Sequence, residues 1–171
     1  MELLSIEDLS EALTRAAIPC IEEFIAVHGN ETFFCFAIEL LAEEGYFHIG
    51  AGSVESFDPI SQKYRTDYSY SDAQIEEIKW NNQEWPYFDF NYESDVWNNE
   101  WKVTEDKINN YKEYLNSLDE KEYEIKSEEF FKLFKLAGEA AFANIQKSGC
   151  LNKFKKTKDY RELVFEHHDV F

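Results

Sequence analysis

Glu166, His167, His168 and Asp169, consecutive near the end of the chain, come closest to a metal-ligand set. Imidazole and carboxylate are the ligands that zinc and its neighbours take, so the residue types suit that chemistry. The spacing does not. In an extended chain Glu166 and His168 face one side and His167 and Asp169 the other, so only two of them reach one ion. A complete site would need help from His48 or from an acid of the middle segment. A polar chain end is the more economical account, and neither a metal nor a cofactor is expected.

Nucleophilic chemistry is no better supplied. Cys20, Cys35 and Cys150 each sit in an apolar setting without an adjacent base. They are odd in number and widely spaced, with no CxxC pair, as small buried hydrophobes of a reducing compartment would be. Gly50-Ala51-Gly52-Ser53 is followed by Val54-Glu55-Ser56-Phe57-Asp58-Pro59, with acids where a phosphate loop would place lysine and anion. It reads as a turn. Paired carboxylates abound, but among 35 acids such pairs arise by chance. No catalytic residue is expected.

The middle of the chain offers a different chemistry. All four tryptophans lie between Asp58 and Trp101, interleaved with acids. Tryptophan is enriched at binding hot spots, and carboxylates around it select a basic partner. The expected binding face is therefore Asp72, Glu76, Glu77, Glu84, Trp85, Asp89, Glu93, Asp95, Trp97 and Glu100. The same four tryptophans can instead complete a core over one sheet face.

Several elements must position these residues. Ser5 and Asp8 form a capping pattern, and Leu9, Leu13, Ala16, Cys20, Phe24 and Val27 follow at helical spacing. Pro19 predicts a kink or break near residues 16–18, and Gly29-Asn30 a stop. Residues 32–41 form an apolar, aromatic run suited to a central strand buried on both faces, with Tyr46 to Ile49 pairing back as a hairpin. Ser71-Asp72 caps a short helix through Lys79. Phe88, Phe90 and Tyr92 alternate as in a strand, and Trp97 and Trp101 share a face if residues 94–102 are helical. Helices follow over 103–118 and 127–147, the latter closed by Gly149. Lys153 to Lys158 reads as a basic loop, and Leu163-Val164-Phe165 as a last, central strand.

The expected fold class is α+β in a single domain over 1–171. An antiparallel or mixed β-sheet carries an N-terminal helix and long C-terminal helices packed largely on one face. A chain of 171 residues with 15 Phe and 10 Tyr buries enough surface to fold without a disulfide or metal. No run approaches the ~20 apolar residues of a membrane span, and the acidic N-terminus is no secretory signal. A cytoplasmic location is the expectation.

The formal charge is -18. It is lopsided: 21 acids against 4 bases up to Trp101, then 14 against 13. Such a field repels nucleic acid and anionic lipid and attracts a basic protein. Lys153, Lys155, Lys156, Lys158 and Arg161, with Phe154 and Tyr160 between them, would suit nucleic acid only in isolation. Ion pairing with the acidic half or plain solvation accounts for them better.

The segment Ile78-Lys79-Trp80-Asn81-Asn82-Gln83-Glu84-Trp85-Pro86-Tyr87 resembles the Trp-x4-Trp-Pro stretch of a bacterial family, domain of unknown function 4303. The leading helix, the aromatic strand and its hairpin partner are also similar, so the resemblance covers most of the chain. That family has no established enzymatic role and implies no catalytic residues. By size, charge and compartment the chain also resembles immunity proteins of polymorphic toxin systems, which cover the active sites of basic nuclease toxins. It lacks the opening Leu-Pro pattern of their best-known superfamily. The function expected is a cytosolic protein-binding module for a basic partner such as a cognate toxin. The alternatives are an enzyme or metal-binding protein using the C-terminal His/Asp cluster, or an oligomeric scaffold.

Overall fold

A computed structural model describes residues 4–166. The first helix, α1, spans Ile6–His28, with the Ser5 side chain accepting from the Asp8 amide at 3.0 Å. It runs unbroken through Pro19, losing one backbone hydrogen bond there. Leu9, Leu13, Ala16, Cys20 and Phe24 are buried as their spacing demands, whereas Val27 is 75% exposed.

Strand β1 (Thr32–Leu41) lies between β2 (Tyr46–Ser53), antiparallel to it, and β3 (Lys155–Glu166), parallel to it. This central position is why nine of its ten residues are buried. Of the expected basic loop Lys153–Lys158, residues 155–158 belong to β3, and β3 is an edge strand rather than a central one.

Residues 50–53 are strand, not the expected turn. The glycines serve packing: a Cβ on Gly50 would lie 2.6 Å from the Phe88 carbonyl oxygen, and one on Gly52 would run into the Phe34 ring. Ser53 then starts α2 (Val54–Tyr68) through a capping box with Ser56. Sequence reasoning missed this helix because Pro59 lies inside it and only Phe57 and Ser61 are buried. A helix N-terminus does follow the glycines, but its end is capped by Ser53 and faced by Glu31 and Glu55. No phosphate is invited there.

Helix α3 spans Asp72–Lys79, capped by Ser71 as predicted. Phe88–Tyr92 is not a strand: Phe90–Glu93 is a 3-10 turn, and one bridge links Tyr87 to Ala51. Fully buried Asn91 replaces a strand partner, its Nδ2 donating to the Phe47 carbonyl at 3.0 Å and its Oδ1 accepting from the Ile49 amide at 2.9 Å. One side-chain amide thereby satisfies two backbone groups at the free edge of β2.

Helix α4 spans Asp95–Asn116, so the 94–102 segment is helical and continuous with the helix expected over 103–118, and α5 covers Glu120–Ser148. It ends at Gly149 in the left-handed conformation (φ 78°). The architecture is α+β. The three long helices α1, α4 and α5 cover one sheet face over Phe33, Phe36, Ile38 and Leu40. The opposite face, with Phe34, Cys35 and Ala37, is closed by α2, α3 and Trp85. No helix among the described residues is long and apolar enough to cross a membrane.

Candidate functional site

The ten residues of the expected face do not form one surface. Trp97 is 1% exposed within the α1–α4–α5 core, and Trp85 is buried on the other sheet face, its indole nitrogen donating to the Lys79 carbonyl at 2.8 Å. Neither can touch a partner. Trp101 is buried as well; Trp80 is half-buried beneath the Arg161 guanidinium at 3.9 Å. Trp85, Trp97 and Trp101 are core, for the reason their bulk gives.

The acids divide between the two layers. Asp72, Glu76 and Glu77 are exposed on α3. Asp72 pairs with Arg65 at 2.8 Å, Glu76 accepts from the Trp80 indole at 2.9 Å, and Glu84 accepts from the Tyr64 hydroxyl at 2.7 Å. Asp89, Glu93, Asp95 and Glu100 are exposed along the turn and into α4, with Glu100 paired to Arg15 of α1 at 3.3 Å.

Glu93 and Asp95 line a cleft of about 760 Å³ between the C-terminal half of α1 and residues 86–95. Cys20, Glu23, Phe24, His28, Tyr87 and Phe90 contribute to it, and none of its lining residues is Lys or Arg. Glu23 accepts from the Ser94 hydroxyl at 2.7 Å, and that hydroxyl's oxygen caps α4 by accepting from the Trp97 amide at 3.1 Å. Burial pushes the Cys20 thiol up to about 11, so it is protonated at neutral pH and is not a nucleophile.

At one end of the cleft His28 and Tyr87 converge on Glu31. The carboxylate accepts from Tyr87 at 2.9 Å and from Ser53, and pairs with His28 Nδ1 at 2.9 Å. Burial would raise its pKa, but the hydrogen bonds from Ser53, His28 and Tyr87 outweigh that and hold the carboxyl below its usual range. Burial and the same carboxylate push Tyr87 up to about 12. This network fastens the end of β2 and the Tyr87 segment to the end of α1.

A second polar cluster escaped sequence reasoning. Glu39, inside the apolar run of β1, is 2% exposed. Its carboxylate pairs with Nδ1 of His48, directly opposite on β2, at 2.9 Å, and accepts from Asn82 Nδ2 at 3.2 Å. His48 is edge-on to Phe88 and Tyr92, at 5.1 and 5.6 Å between ring centroids. A carboxylate holding one imidazole nitrogen fixes the ring and its tautomer, as in acid–base and metal-binding histidines. The only signal was one acid in an otherwise apolar strand. His48 was named as a metal candidate for its residue type alone. The other candidates, His167, His168 and Asp169, lie outside the described residues. Among the described residues no three ligating side chains gather into a metal site.

No curated protein and no solved structure matches this chain. The model of the family described as Domain of unknown function (DUF4303) matches residues 13–169, nearly the whole chain, and the chain belongs to that family.

Proposed function

We propose that this chain is a protein-binding module for a basic partner, acting as an immunity protein that covers a cationic, nuclease-type toxin. The observation that carries the reading is the α1/86–95 cleft, walled by Glu23, Glu93 and Asp95 with no Lys or Arg among its lining residues. The excess of 21 acids over 4 bases up to Trp101 would steer a basic protein toward it. Co-expression with the product of an adjacent reading frame tests the reading. Protection from growth arrest is expected, with a complex whose association rate falls on the order of tenfold between 50 and 500 mM NaCl. Salt-independent association, or no protection by any neighbouring product, would defeat it.

The Glu39–His48 pair favours a second reading, an enzyme or metal-binding protein. Metal analysis of protein purified without chelator separates the two. A stoichiometric ion that disappears in His48→Ala would replace the binding reading.

A further inference from the structure

The two edges of the sheet are finished differently. Beyond β2, Asn91 takes up the Ile49 amide and the Phe47 carbonyl, and the Tyr87 carbonyl accepts from the Ala51 amide at 2.9 Å. Beyond β3 nothing comparable stands. Among the described residues, no hydrogen bond from a further element reaches the backbone of residues 155–164. An unpaired row of N–H and C=O groups is a template for another strand. β3 stays extended through the register shift opposite Phe33 and Cys35, so the edge runs for twelve residues. Its side chains are unusual for this molecule. Lys155, Lys156, Lys158 and Arg161 stand against Asp159, Glu162 and Glu166, four bases to three acids in a chain of net charge -18. Alternate side chains point to opposite faces of the sheet. Asp159 reaches Lys79 of α3 at 2.7 Å and Arg161 lies over Trp80, whereas Glu162, on the other face, accepts from Gln146 of α5 at 2.9 Å.

We propose that β3 pairs with β3 of a second copy of this chain, antiparallel about a two-fold axis, so that two three-stranded sheets join into one. An axis through Tyr160 sets Lys158 opposite Glu162 of the second copy on the α5 face, and Asp159 opposite its Arg161 on the α3 face. Symmetry repeats each pair, giving four cross-strand contacts of opposite sign. Lysines on an edge ordinarily repel a second strand. Here the strand supplies the matching acids itself. Glu162 already pairs with Lys156 at 3.0 Å and Asp159 with Lys79, but a carboxylate accepts several donors. Up to Trp101, 21 acids against 4 bases make like faces repel, so β3 is where two copies meet at least electrostatic cost. A strand edge contributes little area, so the dimer is a weak one.

Sedimentation velocity of the full chain should pass from monomer to dimer between about 10 μM and 1 mM, the range of weak contacts. Over the same range the amides of residues 155–164 should exchange with solvent roughly severalfold more slowly. Charge inversion reads the pairing itself. K158E/R161E makes this stretch of the edge all acidic and D159K/E162K makes it all basic, so each variant alone should stay monomeric. Mixed in equal amounts they should form a heterodimer, because every cross-strand pair is then opposite in sign. If D159K/E162K melts early through loss of the Lys79 and Lys156 pairs, K158E alone carries the comparison. Lys158 is exposed and makes no ion pair among the described residues, and K158E should weaken self-association roughly fivefold or more. A chain still monomeric at the top of the range, dimerisation untouched by K158E, folded inversion variants that fail to combine, or slowed exchange at β2 instead of β3 would each overturn the proposal.

Discussion

At the residue scale, Asn91 does what a strand usually does. Its amide presents a donor to the Phe47 carbonyl and an acceptor to the Ile49 amide, copying a peptide group beside β2. Asn91→Ala leaves both backbone groups buried without partners. The expected cost is on the order of 2–4 kcal/mol, read as a lower urea midpoint. Loss below about 0.5 kcal/mol would mean that water or a shifted loop replaces the amide. Glu39 is the other residue whose role is set by place. A lone carboxylate in that position would be strongly unfavourable, and His48 and Asn82 supply the compensating contacts.

At the element scale, the Gly50–Ser53 stretch shows why a glycine pair need not be a turn. Both glycines lie in β2, where Phe34 from the neighbouring strand and the Phe88 backbone occupy the space of a side chain. Gly52→Ala forces the Phe34 ring or the strand to move. Destabilisation of roughly 1–3 kcal/mol is expected, checked by thermal unfolding. An unchanged melting temperature would show that the ring yields freely. The same packing bears on α2, whose N-cap Ser53 is the last residue of that strand. Its displacement should also loosen the Glu31 network that closes one end of the cleft.

At the scale of the whole molecule, a charge of -18 acts against its own fold as well as toward a partner. Like charges repel in the compact state, and salt screens that repulsion over about 8 Å at physiological ionic strength. Raising NaCl from 20 to 300 mM should therefore raise the melting temperature by a few degrees while weakening association with a basic partner. A melting temperature that falls with salt would mean that the native ion pairs, Lys79–Asp159 and Lys153–Glu22 among them, outweigh the net repulsion.

Local pattern was enough to read α1 through its capping serine and apolar stripe, β1 through its aromatic run, and α3 through Ser71. In these segments burial and capping are written in adjacent residues. The α+β class and the acidic charge were legible for the same reason. Partners distant in the chain decided the rest. Tryptophans that composition alone left between interface and core were divided by the fold: Trp97 and Trp101 became core where α1, α4 and α5 met over one sheet face, and Trp85 on the other. The 88–92 alternation became a turn because Asn91, 42 and 44 residues away from its partners, took over the edge of β2. Glu39 and His48 met only through the register of β1 and β2. The cleft exists only because residues 86–95 lie against α1. Sequence by itself determined which segments carry an apolar stripe or run and what charge the molecule carries. Only the tertiary structure decided which side chains face one another, because that depends on contacts no local pattern encodes.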